Sequence, residues 1–110
     1  MNDLQKAQQP QPSRQQVIDR VVRNFLTPDG RLKHLPAKYK KKLIVLHHLA
    51  AGLQPDRTYT EQEINEYVKQ FHEDYATIRR EFIIHRLMQR ENEVYKLNPP
   101  ELWDRWDNLA

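Results

Sequence analysis

The side chains able to do chemistry are few, and their spacing narrows what that chemistry can be. The 110 residues contain five histidines, one serine and no cysteine. Ser13 stands where a helix should begin, with no base beside it, and Gly30 and Gly52 are too far apart to form a phosphate-cradling loop. His47 and His48 are adjacent, so on a helix they diverge by about 100° and do not readily face one ion. His72 and His85 lack a carboxylate-and-histidine set at metal-ligand spacing. The expectation is therefore a non-enzyme with no catalytic residue, no cofactor and no metal site. What remains is charge. The chain carries a net charge of +3, and between Gly30 and Pro55 it has no acidic residue. That interval holds Arg31, Lys33, Lys38, Lys40, Lys41 and Lys42, a positive field suited to a polyanion.

These charges need a scaffold, and the stretch Arg57 to Leu97 supplies its plan. Thr60 and Glu63 form a capping box, flanked by Tyr59 and Ile64 as a hydrophobic staple. Ile64, Tyr67, Val68 and Phe71 follow at helical spacing, leaving Glu61, Glu66, Lys69 and Gln70 for solvent. After His72-Glu73-Asp74 a second helix runs from Tyr75 to His85 with Asp74 as its cap. Leu87–Arg90, a turn at Glu91-Asn92-Glu93 and Val94–Leu97 read as a β-hairpin. Thr58-Tyr59 is a minimal strand able to pair with it. Helix, turn, helix and hairpin in this order make a helix-turn-helix with a wing.

At these residues the chain resembles the family known as domain of unknown function 2087. The resemblance rests on Tyr59 to Glu66 and Phe71 to Phe82, with Phe25 to Lys33 and the Lys38 to Leu49 helix upstream, and covers about residues 17–97. It implies a fold and a regulatory setting, since members stand alone or are joined to helix-turn-helix regulators or acetyltransferase domains. No shared catalytic activity is implied. Arg86 departs from the family, which usually has glycine there.

The rest of the chain frames this unit. Residues 1–12, rich in glutamine and proline, read as a disordered lead-in, and residues 13–97 as one winged-helix-like domain. Ser13 and Gln16 cap a first helix bearing Val17, Ile18, Val21, Val22 and Phe25. Pro28-Asp29-Gly30 is a turn between two short extended pieces that can form a small hairpin. Pro36 suits the first turn of a helix lined by Tyr39, Leu43, Leu46, Leu49, Ala50 and Leu53, with Gly52 as terminator. Its lysines sit at the wrong end for the helix dipole, which calls for another reason to keep them there. Asn98, Pro99 and Glu101 resemble a helix start, so residues 98–110 are expected to add a C-terminal amphipathic helix with Leu102, Trp103, Trp106 and Leu109 on its apolar edge. The fold class expected is α+β, winged helix-turn-helix-like, with a helical core and one or two small β-hairpins.

On a helical wheel Tyr75, Ile78, Phe82 and His85 face the core, and Thr77, Arg80, Glu81, Ile84 and Met88 lie on or near the other side. Arg79, nearer the core edge, is expected to pair with Glu63 or Glu66. The candidate DNA contacts are Lys38, Lys40, Lys41, Lys42, Thr77, Arg80, Arg90 and Lys96, with the lysines on phosphate and Thr77 and Arg80 approaching the groove. The acids at the wing tip, Glu91 and Glu93, oppose a clamp there. The competing account of the arginines and lysines is a solvated, self-paired helix surface. The alternative function is a protein-interaction module without DNA, with Ile84, Leu102, Trp103, Trp106 and Leu109 as partner or homodimer contacts. For the tryptophans, packing on the chain's own body competes with dimerisation. No apolar run reaches the length of a membrane span, the start lacks a signal-peptide core, and the absence of cysteine fits a reducing cytoplasm.

Overall fold

The computed structural model describes residues 11–107. The lead-in expected over residues 1–12 lies outside this range as far as residue 10, and so does Leu109. Helix α1 spans Arg14–Phe25 and α2 Tyr39–Ala50. Strand β1, Thr58–Thr60, leads into α3, Glu61–Lys69, and α4 follows over Tyr75–Ile84. Strands β2, Met88–Glu91, and β3, Val94–Leu97, close the unit.

The local signals act as their chemistry requires. Both capping boxes form: the Ser13 hydroxyl accepts from the Gln16 N–H at 3.1 Å, and that of Thr60 from the Glu63 N–H at 3.1 Å. In return the Ser13 and Thr60 N–H groups donate to the Gln16 and Glu63 side chains at 2.8 and 2.9 Å. Tyr59 and Ile64 are both buried, as a staple demands. Asp74 caps α4 by accepting from the Thr77 N–H. The hairpin turn is the pair Asn92-Glu93, both at positive φ (51° and 67°), the backbone of a two-residue turn that matches the twist of its strands. β3 is central, pairing antiparallel with β1 on one side and β2 on the other. This is a helix-turn-helix whose wing is tied back to the strand before it, an α+β winged-helix-like arrangement.

Helix α2 is the hub. Leu43, Ile44, Val45 and Leu46 are consecutive and all buried, so its core is closed all round instead of along one stripe. Its start differs from expectation. Pro36 is buried ahead of the helix, Lys38 is the N-cap in extended conformation, and no side chain bonds the first free N–H groups. No Ser, Thr, Asp or Asn lies near enough to move the start back to Pro36. Tyr39 is exposed instead of lining the core; its ring lies edge-on to His85, 5.6 Å between centroids. The Pro28–Gly30 hairpin is reduced to one bridge, Leu26 with Leu32, beyond a turn that needs Gly30 at φ 90°.

Helix α4 ends in a paired-bond cap. The Leu87 N–H donates to the Phe82 carbonyl at 2.9 Å and the Arg86 N–H to that of Ile83 at 3.1 Å, with Leu87 and Phe82 fully buried. Arg86 therefore sits at φ 64°, a left-handed position that suits glycine. Arg86→Gly should raise stability by about 1 kcal/mol, because a side chain there costs roughly 1–2 kcal/mol. Calorimetry should show a melting point higher by about 4–8 °C, and Arg86→Ala, which keeps the strain, should not reproduce it. Equal melting of Arg86→Gly and wild type would contradict this account of the cap.

The expected C-terminal helix shrinks to one 3-10 turn, Pro100–Leu102. Its capping residue is used elsewhere: the Asn98 amide donates to the Arg86 carbonyl at 2.9 Å, and the Asn98 carbonyl accepts from the Trp103 indole at 2.8 Å. The tail then runs across α2 and α1. Asp104 N–H donates to the His85 carbonyl at 3.0 Å, the Asp104 carbonyl faces His47 Nε2 at 2.9 Å, and Asp107 pairs with Arg14 at 2.9 Å. Trp106 is thereby buried in its own chain, at 4% exposure. Of the two accounts weighed for the tryptophans, packing on the chain's own body describes Trp106, and Trp103 is half-buried beside His47.

Candidate nucleic-acid interface

Helix α4 presents its polar side as the wheel requires except at Glu81, which is turned in between Lys42 and His85. Arg80 and Ile84 are exposed, Ile84 at 56%, and Thr77 is half-exposed, while Ile78, Phe82 and His85 are buried. Met88 departs from expectation. It is the first residue of β2 and is 1% exposed, because the cap at Arg86 turns the chain before a further helical turn can carry it outward.

One flank of α4 faces the wing. There Arg79, Arg80, Ile83 and Ile84 meet Arg90 of β2 and Tyr95 of β3 around a cleft of about 180 Å³. Arg79 is paired as expected but with different partners: Nε stands 3.8 Å from Glu61, and Nη1 donates to Asn65. Glu63 is not free for it, being engaged by its own cap and by Arg57 at 2.6 Å; together these hold the Glu63 carboxyl below its ordinary pKa. Glu61 also accepts from the Tyr95 hydroxyl at 2.8 Å. Burial, followed by that bond, raises the Tyr95 pKa. Arg80 and Arg90 have no ion-pair partner among the described residues.

The two wing cations part company. Register sets Arg90 opposite Tyr95 and Lys96 opposite Gln89. Neighbouring residues of a strand point to opposite faces, so Lys96 lies on the side of the sheet away from the cleft. The lysines of α2 also spread. Lys42 reaches Glu81 at 3.5 Å on the other flank of α4, Lys41 lies 6.0 Å from the Phe25 ring, and Lys40 lies 5.8 Å from the Trp106 ring. Lys38 is exposed at the cap. Adjacent helical residues diverge by about 100°, so the sequence run becomes a fan around the helix start. Two of its members cover aromatic rings, where a cation is attracted to the π face; this gives the lysines a reason to sit at an unfavourable helix end.

Behind α4, His85 is 7% exposed between two acids. Nδ1 is 3.1 Å from Asp104, and Nε2 is 2.9 Å from Glu81 but out of line for a hydrogen bond. His47 is shifted to lower pKa, chiefly by burial, and its Nε2 donates to the Asp104 carbonyl, which can only accept. Asp107 is held down to about 2 by its bonds from Arg14 and then Arg105. Among the described residues no group of three or more His, Cys, Asp or Glu side chains could hold a metal ion, and no helix is long and apolar enough to cross a membrane.

Of the DNA-contact candidates drawn from the sequence, Arg80 and Arg90 line this cleft and Thr77 does not, while Arg79, Ile83 and Tyr95 line it without having been named as contacts. The signal was present in the repeat of Arg79-Arg80 and Ile83-Ile84 one turn apart, which puts two arginines and two isoleucines on adjoining flanks of one helix.

The fold and this interface define a small winged-helix-like α+β protein with a cationic junction between its second motif helix and its wing. The chain belongs to the family described as "Uncharacterized protein conserved in bacteria (DUF2087)", whose model matches residues 31–97. No curated protein and no solved structure matches it.

Proposed function

We propose that this chain is a non-enzymatic DNA-binding transcriptional regulator that lays α4 into the major groove. The observation that carries the reading is the exposed side of α4, where Arg80, Thr77 and Ile84 stand clear of the core. Threonine and isoleucine can meet thymine methyl groups, and arginine can bond guanine edges or the phosphates that flank the groove. The α2 lysines and the wing-side arginines add phosphate attraction on both flanks. Fluorescence anisotropy with labelled duplexes is the test. Saturable binding is expected at about 50 mM salt, weakened roughly 40–150-fold at about 200 mM if three or four phosphates are neutralised. Absence of a complex at both salts would overturn the reading.

A second reading, a protein-interaction module on the same scaffold, draws on the aliphatic side chains left exposed at Ile84, Val94 and Leu102. Sedimentation of the pure protein and capture of a defined partner that Ile84→Glu abolishes would favour it.

A further inference from the structure

We infer that the cleft between α4 and the wing is a seat for one phosphodiester of the bound strand, so that this junction grips DNA backbone instead of reading bases. The inference rests on the DNA-binding reading and adds what this part of the surface binds.

Three arginines line it from two elements: Arg79 and Arg80 from α4, and Arg90 from β2. Arg79 is pre-set. Its side chain is only 19% exposed, Nε and Nη1 are engaged by Glu61 and Asn65, and Nη2 has no partner among the described residues. The Arg90 guanidinium stands 5.9 Å from the Tyr95 ring, on the same face of the sheet. Glu61 is the one carboxylate paired with this trio among the described residues, and it also accepts from Tyr95. Positive charge is therefore left uncompensated at the cleft.

The size and chemistry suit a phosphate group. A volume of about 180 Å³ is below the roughly 300–1,000 Å³ usual for small-molecule sites. It leaves room for a phosphate and the edge of a sugar. Guanidinium forks match phosphate oxygens in pairs, and Ile83 and Ile84 offer apolar walls to the deoxyribose. A guanine edge presents two acceptors in one plane, which a single arginine satisfies. Three arginines around one cleft suit the wider spread of oxygens on a phosphodiester.

The experiment compares wild type, Arg90→Gln and Arg80→Gln on an alternating A·T duplex and a G·C-rich duplex across a salt series, with folding of each variant confirmed by its melting curve. Each variant should bind both duplexes roughly tenfold more weakly at low salt, with the slope of log K against log salt shallower by about 0.9. A loss confined to the G·C-rich duplex with unchanged slope, or no loss at all, would overturn the phosphate seat while leaving DNA binding intact. If wild type binds neither duplex, the DNA reading itself fails. A titration with inorganic pyrophosphate followed by NMR then decides the seat alone: shifts at Arg79, Arg80 and Tyr95 that Arg90→Gln abolishes support an anion site, and unshifted signals remove it.

Discussion

Replacing Trp106 with alanine should lower the melting temperature by about 12–24 °C, from a loss of about 3 kcal/mol. Trp106 is 4% exposed and shares a cavity wall with Ile18, Ile44 and Trp103. The Arg14 guanidinium stands 5.0 Å from its ring, and Asp107 next in sequence pairs with Arg14. Removing a buried tryptophan costs about 3–5 kcal/mol. The lower end applies because the ring is carried by an extended segment outside any helix or strand. Since the ring is buried within one chain, wild type and variant should each melt at a temperature independent of protein concentration. A wild-type melting point that rises with concentration, and loses that dependence in Trp106→Ala, would instead place the tryptophan in a dimer. Coincident melts of the two proteins would contradict the burial.

Gly52→Ala should destabilise by about 2 kcal/mol, the scale of an overpacked site, and Tyr67→Phe should largely rescue it. Gly52 is not at a left-handed position. Its role is close approach: a Cβ there would overlap the Tyr67 hydroxyl oxygen, while the ring carbon bearing that oxygen would be 3.4 Å away, an ordinary contact. The hydroxyl donates to the Leu49 carbonyl at the end of α2, and burial raises its pKa. Tyr67→Phe alone should cost about 1 kcal/mol for the lost hydrogen bond. In a urea double-mutant cycle, Gly52→Ala made in the Tyr67→Phe background should then cost under about 0.5 kcal/mol. Additive losses would mean that glycine serves some other end there.

Gly52 also shows where sequence and structure diverge. As a punctuation mark it read correctly: α2 does end beside it. The reason lay in Tyr67, fifteen positions away, which local spacing cannot reveal. Signals that act within a few residues were legible, among them both capping boxes, the Asp74 cap, the Tyr59–Ile64 staple and the wing turn. Features that depend on distant partners were not. Arg79 could be placed near the core edge, but its partners depended on Glu63 being already committed to a cap and Arg57. The tail carried every mark of a helix start, yet Asn98 spends its side chain on the carbonyl of Arg86, and Trp106 reaches its pocket along an extended chain.

The candidate interface followed the same division. Helical periodicity set Arg80, Thr77 and Ile84 outward, and the structure agrees. Opposite faces for Arg90 and Lys96 follow from strand alternation, so their separation was legible once the strand was drawn. That Lys40 and Lys41 lie over aromatic rings was not, because Phe25 and Trp106 belong to elements far along the chain.

The central claim is that α4 and its wing-side flank meet DNA, and it is tested most directly by NMR chemical-shift mapping of the whole chain titrated with a short duplex. Progressive shifts concentrated at Thr77, Arg80, Ile84 and Arg90, with Lys96 on the opposite sheet face and the tail around Trp106 little changed, are the expected result. Shifts confined to the α2 start and tail, or none along α4, would contradict it.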